Sequence, residues 1–199
     1  LANLREPYTY QRQVCELVAK HRDAGARGQT IIVSMARLAG KTTAGLLAAA
    51  EAMLERGETV LFISASPERS AKLHGEFEES RKRGIWGWNV SATEGRRGVM
   101  DALLREDPVR LLFADLETLD MQVLPFDRQT ALQDFIDALG VVVIEDVDAY
   151  SPARAGHASF VFRRLAQMFE NRGVKPVTLV TTRPIFAHDE AYCRSFLGP

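Results

Sequence analysis

The tripeptide Gly40-Lys41-Thr42 has the residue types that bind phosphate groups. It follows the apolar run Thr30–Ser34 and begins a long segment of strong helix formers, which predicts a strand, a loop and a helix in that order. The N-terminus of such a helix presents free N–H groups and a partial positive charge to an anion. The lysine ammonium could reach phosphate oxygens, and the threonine hydroxyl could hold Mg²⁺. The context predicts a phosphate-binding loop.

The loop departs from the common pattern G-x-x-x-x-G-K-[ST], because Met35 stands at the position of the first glycine. Leu38 also stands where a glycine often gives such a loop its tight curl. We therefore predict an ATP site with an atypical loop. The candidate nucleotide-binding residues in this segment are Arg37, Ala39, Gly40, Lys41, Thr42 and Thr43.

A second candidate lies at the end of the apolar run Val141–Ile144, where Glu145 and Asp146 follow. Phosphoryl transfer needs one carboxylate to hold Mg²⁺ and another to orient the attacking water. The usual order is Asp then Glu, so each carboxylate here is displaced by about one C–C bond length, and errors of about 1 Å can cost 10²-fold in rate. We predict Glu145, Asp146 and Lys41 as catalytic residues, Thr42 and the two acids as Mg²⁺ ligands, and weakened hydrolysis.

Composition places the chain among ordinary globular proteins. It has 199 residues, of which 46% are hydrophobic and 26% charged, so residues 1–199 are expected to form a single domain. No apolar run approaches the roughly 18 residues of a membrane span, and no signal peptide is visible, so we expect a cytoplasmic protein without a membrane partner. Two cysteines are too few for a metal cluster or a disulfide framework. A net charge of −1 does not indicate nucleic-acid binding, but one face can still be basic.

Short β-branched runs alternate with amphipathic or alanine-rich segments, which predicts an α/β fold: a mostly parallel sheet with helices on both faces. The predicted strands are Thr30–Ser34, Thr59–Ser64, Val109–Phe113, Val141–Ile144, Val177–Thr181 and a weaker Trp88–Ser91. The predicted helices are Tyr10–His21, Lys41–Arg56, Ser66–Lys82, Gly95–Arg105, Phe126–Leu139 and His157–Asn171, with Gly57, Gly140 and Gly173 as helix stops.

The two motifs, their order and the segments between them resemble the first RecA-like domain of superfamily 2 DEAD/DEAH-type helicases. The resemblance implies a RecA-like P-loop NTPase fold, ATP and Mg²⁺ as cofactors, and ATP hydrolysis coupled to movement on nucleic acid. The segment Pro7–Arg12 is similar to the upstream glutamine element of these helicases, in which Gln11 would read adenine. A polar residue on the first helix is an equally weighted alternative for Gln11.

Further segments resemble the helicase motifs that grip a nucleic-acid strand. Ser66 and Asp115 lie in segments that resemble motifs Ia and Ib, whose loops hold the phosphates of a single strand. Thr181 and Thr182 stand where helicases have Ser-Ala-Thr, the motif that couples the ATP state to strand grip. Arg183 departs from that motif.

The stretch Tyr150–Leu165 is similar to the region after the DExH box in a bacterial helicase subgroup with a C-terminal cysteine-rich domain. In it, Arg163 and Arg164 are candidates for binding nucleic acid, and a helix with solvent-facing arginines is the alternative. Asp148 replaces the histidine of the DExH box. These departures leave open whether the domain is a fully competent helicase or ATPase.

The resemblance implies a piece of a longer helicase that binds DNA rather than RNA and works with a second RecA-like domain in cis. Two other functions stay open. In a phage-type large terminase, whose loop the segment Ala36–Thr42 resembles, Arg37 would be an arginine finger in cis and Thr181-Thr182 the coupling motif. A pseudo-ATPase scaffold would bind DNA or partner proteins without hydrolysing ATP.

Overall fold

A computed structural model of the chain describes residues 8–24, 28–83, 91–94, 99, 103, 109–126, 129–184 and 191. Within them, six strands form one sheet in the order β1-β6-β5-β2-β4-β3, and every strand pairing is parallel. The strands are β1 (Thr30–Ser34), β2 (Thr59–Ile63), β3 (Ser91–Glu94), β4 (Val109–Ala114), β5 (Leu139–Ile144) and β6 (Val177–Thr182). Because all strands run the same way, their carboxyl ends meet at one edge of the sheet, where ligands bind in open α/β folds.

Helices connect these strands. The longer helices are α1 (Thr9–Asp23), α2 (Lys41–Arg56), α3 (Pro67–Lys82), α4 (Thr130–Asp137) and α5 (Pro152–Asn171). An irregular helical segment follows β4, made of an α-helical turn (Leu116–Thr118), a π-helical turn (Leu119–Val123) and a 3₁₀ turn (Leu124–Phe126). A short 3₁₀ turn, Val147–Ala149, follows β5.

The two faces of the sheet carry separate hydrophobic cores. In β2, Val60 and Phe62 pack into the core beneath α1, α2 and α3, whereas Leu61 and Ile63 pack into the core beneath α4 and α5. This alternation is the period of two that a strand imposes. Full burial of a side chain as large as Phe62 contributes roughly 2–3 kcal/mol. The predicted α/β fold, with helices on both faces, is confirmed.

Two predicted helix stops have different outcomes. Gly57 adopts a left-handed conformation with φ 66° and caps α2, as predicted. Gly140 does not end a helix: α4 ends at Asp137 with Ala138 as its cap, and Gly140 lies inside β5. The prediction was wrong because the chain enters the strand directly after the helix, without a left-handed turn that would need a glycine.

Other predicted boundaries differ as well. Helix α5 begins at Pro152, five residues before the predicted start, with Ser151 as its N-cap. A strand lies at Ser91–Glu94, and of the predicted weak strand Trp88–Ser91 only Ser91 falls within the described residues. The predicted helix Gly95–Arg105 falls almost wholly outside the described residues. In the described part of the chain, no helix has both the length and the apolar character that a membrane crossing requires.

Packing of α2 on the sheet generates a first test. A side chain at Gly45 would place its Cβ 3.0 Å from Val143 Cγ1 and 3.3 Å from Phe62 Cε2. We expect Gly45→Val to lower the free energy of unfolding by about 1–3 kcal/mol, the usual cost of overpacking a core. Gly156→Val on α5 is the matched control, because nothing lies within 4 Å of a Cβ there, and it should change stability by about 0.5 kcal/mol or less. Urea denaturation measures both, and equal effects would contradict this packing.

Candidate functional site

The predicted phosphate loop runs from the end of β1 to the start of α2, beside the end of β6. Its first residue, Met35, donates its N–H to the Thr182 carbonyl at 3.0 Å. Its last residue, Gly40, has φ 82° and is the N-cap of α2. A Cβ at Gly40 would lie 2.2 Å from Gln11 Nε2, so both the conformation and the close approach require glycine.

Leu38 gives the loop its curl even though the usual glycine is absent. Its φ is 63°, in the left-handed region, which costs a non-glycine residue roughly 1–2 kcal/mol. The Leu38 side chain is 95% exposed, so no packing contact offsets this strain. Arg37 is exposed beside it, whereas Ala39 and Thr43 are half-buried. The atypical sequence therefore keeps a curled loop that ends at a helix N-terminus.

Residues of the first helix hold the loop in place. Gln11 Nε2 donates to the Gly40 carbonyl at 3.3 Å, and Gln11 Oε1 accepts from the Tyr8 N–H at 3.0 Å. The Tyr10 hydroxyl donates to the Ala39 carbonyl at 2.6 Å. Gln11 is buried, and both ends of its amide are engaged. The observed contacts of Gln11 thus brace the loop, and its reading of adenine stays a prediction.

An apolar cavity of about 430 Å³ lies between α1 and the loop. Its lining includes Tyr10, Val14, Leu17, Met35, Ala36 and Ala39. Sites for flat organic groups are usually concave and mostly apolar, with a few polar groups at the margin. The cavity therefore offers a place for a nucleobase next to the loop that would hold its phosphates.

The two predicted motifs lie together at the carboxyl edge of the sheet. Lys41 Nζ is 3.4 Å from Asp146 Oδ1, and the Thr42 hydroxyl donates to Glu145 Oε1. Helix α2 passes over the sheet so that its first turn reaches the end of β5. Glu145 is only 1% exposed, and Lys41 is 8% exposed. The loop and the two acids thus form one site, from residues more than 100 positions apart in the chain.

Arg69, which sequence reasoning missed, lies in the same site. Its Nη2 donates to Thr42 Oγ1 at 2.8 Å and to Glu145 Oε1 at 2.7 Å, and its Nε donates to Glu145 Oε2 at 3.0 Å. The two-pronged contact with Glu145 raises the pKa of the Arg69 guanidinium. Arg69 belongs to the first turn of α3, directly after β2, and β2 is the neighbour of β5 in the sheet. Only the strand order could have identified it.

Asp146 has an unusual environment for a carboxylate. Burial and the nearby charge of Glu145 raise its pKa above the ordinary value, and Lys41 offsets part of that effect. Its backbone is left-handed, with φ 49°, and its N–H donates to Thr181 Oγ1 at 3.1 Å. This bond joins the end of β5 to the predicted coupling residue on β6. A carboxylate with a raised pKa is better suited to accept a proton than an ordinary one.

Two residues that depart from the helicase motifs pair with each other. Asp148 Oδ1 accepts the Arg183 N–H at 2.9 Å and the Thr182 hydroxyl at 3.4 Å, and Asp148 Oδ2 accepts from Arg183 Nε. Burial alone would raise the pKa of Asp148, but the hydrogen bonds and charge of Arg183 outweigh burial and hold that pKa below its ordinary value. The aspartate and the arginine thus provide a direct link between β5 and β6.

Two candidates for nucleic-acid contact cap helices. The Ser66 hydroxyl accepts from the Arg69 N–H at 3.3 Å and caps α3. Asp115 is buried, 3% exposed, and its carboxylate accepts from the Thr118 N–H at 2.8 Å. The geometry does not support Asp115 as a direct contact to a phosphate backbone, because its carboxylate is both buried and occupied.

The candidate arginines on α5 occupy different positions. Arg164 donates to Asp120 Oδ1 at 2.6 Å, and His157 Nε2 lies 3.2 Å from Asp120 Oδ2. The guanidinium carbon of Arg164 also lies 5.5 Å from the centre of the Phe160 ring, which is 56% exposed. Arg163 is exposed. This surface combines a stacked arginine with an exposed aromatic ring.

The Asp148–Arg183 pair generates a test with a defined pH dependence. A carboxylate with a lowered folded-state pKa stabilises the fold above its unfolded pKa, about 3.9, and loses that contribution as the pH falls through the folded value. We expect Arg183→Gln to lower the urea midpoint at pH 7, and the difference from the wild type to shrink below about pH 4. Arg183→Lys, which keeps the charge, should retain part of the effect. A difference that does not change with pH would contradict the ion pair.

Comparison with known proteins supports the fold. No family model and no curated protein matches the chain. Among solved structures, it is similar to the DUF1998 helicase MrfA bound to DNA and AMPPNP, with a TM-score of 0.78 and 18% identity over 99% of this chain and 26% of that chain. It is also similar to the UvsW helicase from bacteriophage T4, with a TM-score of 0.62 and 11% identity over 97% of this chain and 58% of that one.

A third solved structure is the Sulfolobus solfataricus SWI2/SNF2 ATPase core in complex with dsDNA, with a TM-score of 0.58 and 13% identity over 98% of this chain and 37% of that one. The chain spans about a quarter of the MrfA helicase. It therefore has the RecA-like α/β fold found in superfamily 2 helicases, as its sequence motifs predicted.

Proposed function

We propose that the chain is the ATP-binding motor domain of a nucleic-acid helicase or translocase. The observation that carries the proposal is the convergence of Lys41 and Thr42 with Glu145 and Asp146 at one edge of a parallel sheet. Phosphoryl transfer needs a cation on the phosphates, a metal-holding carboxylate and a group that orients water, and these four side chains supply that set. The fold shared with solved helicases adds support.

In this proposal, the first turn of α2 binds the triphosphate. Free N–H groups at the end of the loop point toward the anion, and the helix dipole favours negative charge there. The Lys41 ammonium exchanges its ion pair with Asp146 for contacts to phosphate oxygens. Ala39, Gly40 and Thr43 contribute backbone groups, and Arg37, an exposed residue of the loop, is assigned to the outer phosphate.

The residues present fit a Mg²⁺ ion. Mg²⁺ prefers oxygen ligands and is usually held by one or two protein groups together with phosphates and water. Thr42 and Glu145 offer such oxygens, and Asp146 Oδ1 is buried with the Lys41 ammonium 3.4 Å away as its ion-pair partner. The described residues contain no group of three His, Cys, Asp or Glu side chains arranged around a metal, so phosphate and water would complete the shell. When bound, the ion would neutralise charge that develops on the transferred phosphoryl group.

In this proposal, Glu145 and Asp146 have different catalytic roles. Glu145 touches the Thr42 hydroxyl and is assigned to the metal. Asp146 has the raised pKa, is partly exposed, and is assigned to orient the attacking water and accept its proton. The bond from the Asp146 N–H to Thr181 gives the proposed coupling motif a direct link to the reaction centre.

For nucleic acid, we propose the surface of α5 that carries Arg163, Arg164 and Phe160. Arginine binds phosphate through its planar fork, and aromatic rings stack on exposed bases. Solved neighbours are described as bound to DNA, which favours DNA over RNA. Because the chain spans 26% of the MrfA helicase, a second RecA-like domain in cis belongs to the proposal.

The proposal is tested by Lys41→Ala. This change deletes a charge-assisted contact to phosphate, so we expect affinity for AMPPNP to fall by about tenfold or more, in line with 1.5–3 kcal/mol for a hydrogen bond to a charged group. Calorimetric titration measures the affinity. Lys72→Ala is the control, because Lys72 is a 65% exposed lysine paired with Glu76 on α3. Equal AMPPNP affinity in the wild type and Lys41→Ala would contradict the phosphate-loop assignment.

A non-hydrolysing scaffold is the second candidate, and Arg69 favours it, because a guanidinium already contacts both Thr42 and Glu145. Phosphate release from ATP, measured with and without single-stranded DNA, separates the two functions. DNA-stimulated release supports the motor domain. Nucleotide binding without release, in a chain that includes any second RecA-like domain, supports the scaffold.

A further inference from the structure

The Arg69 guanidinium holds the two protein oxygens that the proposed function assigns to the metal ion. Arg69 Nη2 lies 2.8 Å from Thr42 Oγ1 and 2.7 Å from Glu145 Oε1. Its Nε takes the second carboxylate oxygen, Glu145 Oε2, at 3.0 Å. In the nucleotide-free chain, both oxygens of the Glu145 carboxylate therefore accept hydrogen bonds from a cation of the protein itself.

The contact with Glu145 offsets an electrostatically unfavourable position of the Arg69 cation. It is the third residue of α3, where the partial positive charge of the helix N-terminus repels a cation. Glu145 compensates: it is 1% exposed, so its negative charge needs a partner within the protein. The Arg69 side chain is 33% exposed, so the guanidinium lies between the buried carboxylate and solvent.

A divalent metal ion at this site and the Arg69 guanidinium would compete for the same oxygen lone pairs, those of Thr42 and Glu145. A metal ion held by Thr42 and Glu145 would use the same oxygens that the Arg69 guanidinium contacts. Two cations would then share one carboxylate in a largely buried site, where charge repulsion is screened less than in water. Glu76, on the same helix as Arg69, is a second carboxylate whose charge helps to raise the pKa of the Arg69 guanidinium.

We propose that Arg69 is the resident cation of the nucleotide-free site and competes with the divalent metal for Thr42 and Glu145. Binding of a metal–nucleotide complex then requires the guanidinium to leave Glu145. The proposal rests on the proposed function, because it takes Thr42 and Glu145 as the metal ligands. It makes Arg69 a residue that sets the metal dependence of nucleotide binding.

The test is the affinity of Mn²⁺ for the nucleotide-free chain, measured by electron paramagnetic resonance of free Mn²⁺, because AMPPNP in solution would itself bind Mn²⁺. Arg69→Gln removes the competing charge and keeps a side chain of similar length. We expect Mn²⁺ to bind at least about fivefold more tightly to this variant, the lower end of common coupling between sites. Arg81→Gln, a change of the same type on α3 at an arginine paired with Glu78, is the control and should leave Mn²⁺ affinity unchanged.

Equal or weaker Mn²⁺ binding by Arg69→Gln would overturn the proposal. No AMPPNP binding by the wild type at any Mn²⁺ concentration would instead contradict the proposed function itself. A buried Glu145 without its partner could prevent folding of the variant, so a second measurement uses the wild type. The Arg69 Nε–H signal in nitrogen NMR should be protected from solvent exchange in the free chain and lose that protection with Mg²⁺ and AMPPNP. Unchanged protection in the loaded chain would also overturn the proposal.

Discussion

The arrangement of the site depends on the hydrogen bonds and the ion pair of the buried Glu145 carboxylate. A carboxylate that is 1% exposed is costly unless other groups of the protein satisfy its charge. Thr42 from α2 and Arg69 from α3 supply those partners, and both helices are thereby fixed to the end of β5. The same contacts hold the phosphate loop over the acids. The hydrogen bonds that compensate for burying the Glu145 charge are therefore also the ones that assemble the site.

The residues that depart from the helicase motifs still make contacts that keep the site together in the structure. Leu38 adopts the left-handed backbone that a glycine would give, at a cost in strain. Asp148 and Arg183 replace residues of two different motifs, yet they bond to each other across neighbouring strands. The reversed acids also have distinct surroundings, because Glu145 meets Thr42 whereas Asp146 meets Lys41. Each change alters chemistry locally and leaves the connection between the motifs in place.

The approach of Lys41 to Asp146 could be predicted, because both follow strands of a parallel sheet and such strands end at a common edge. Arg69 could not, because its contact with Glu145 depends on β2 lying beside β5, and periodicity does not reveal strand order. Ser66 and Asp115 cap helices through hydrogen bonds to backbone N–H groups, a role that their resemblance to helicase motifs did not indicate. The sequence pattern predicts a helix stop at Gly140, whereas this residue lies in a buried strand.

A crystal structure of the chain with AMPPNP and Mn²⁺, with data collected at the manganese absorption edge, measures the location of both groups directly. The proposed site predicts an anomalous peak within coordination distance of Thr42 Oγ1 and Glu145, phosphate density at Lys41 Nζ, and the Arg69 guanidinium moved away from Glu145 Oε1. A nucleotide bound elsewhere, or bound at the loop with the Arg69–Glu145 pair intact and no manganese beside it, would contradict the metal-dependent ATP site.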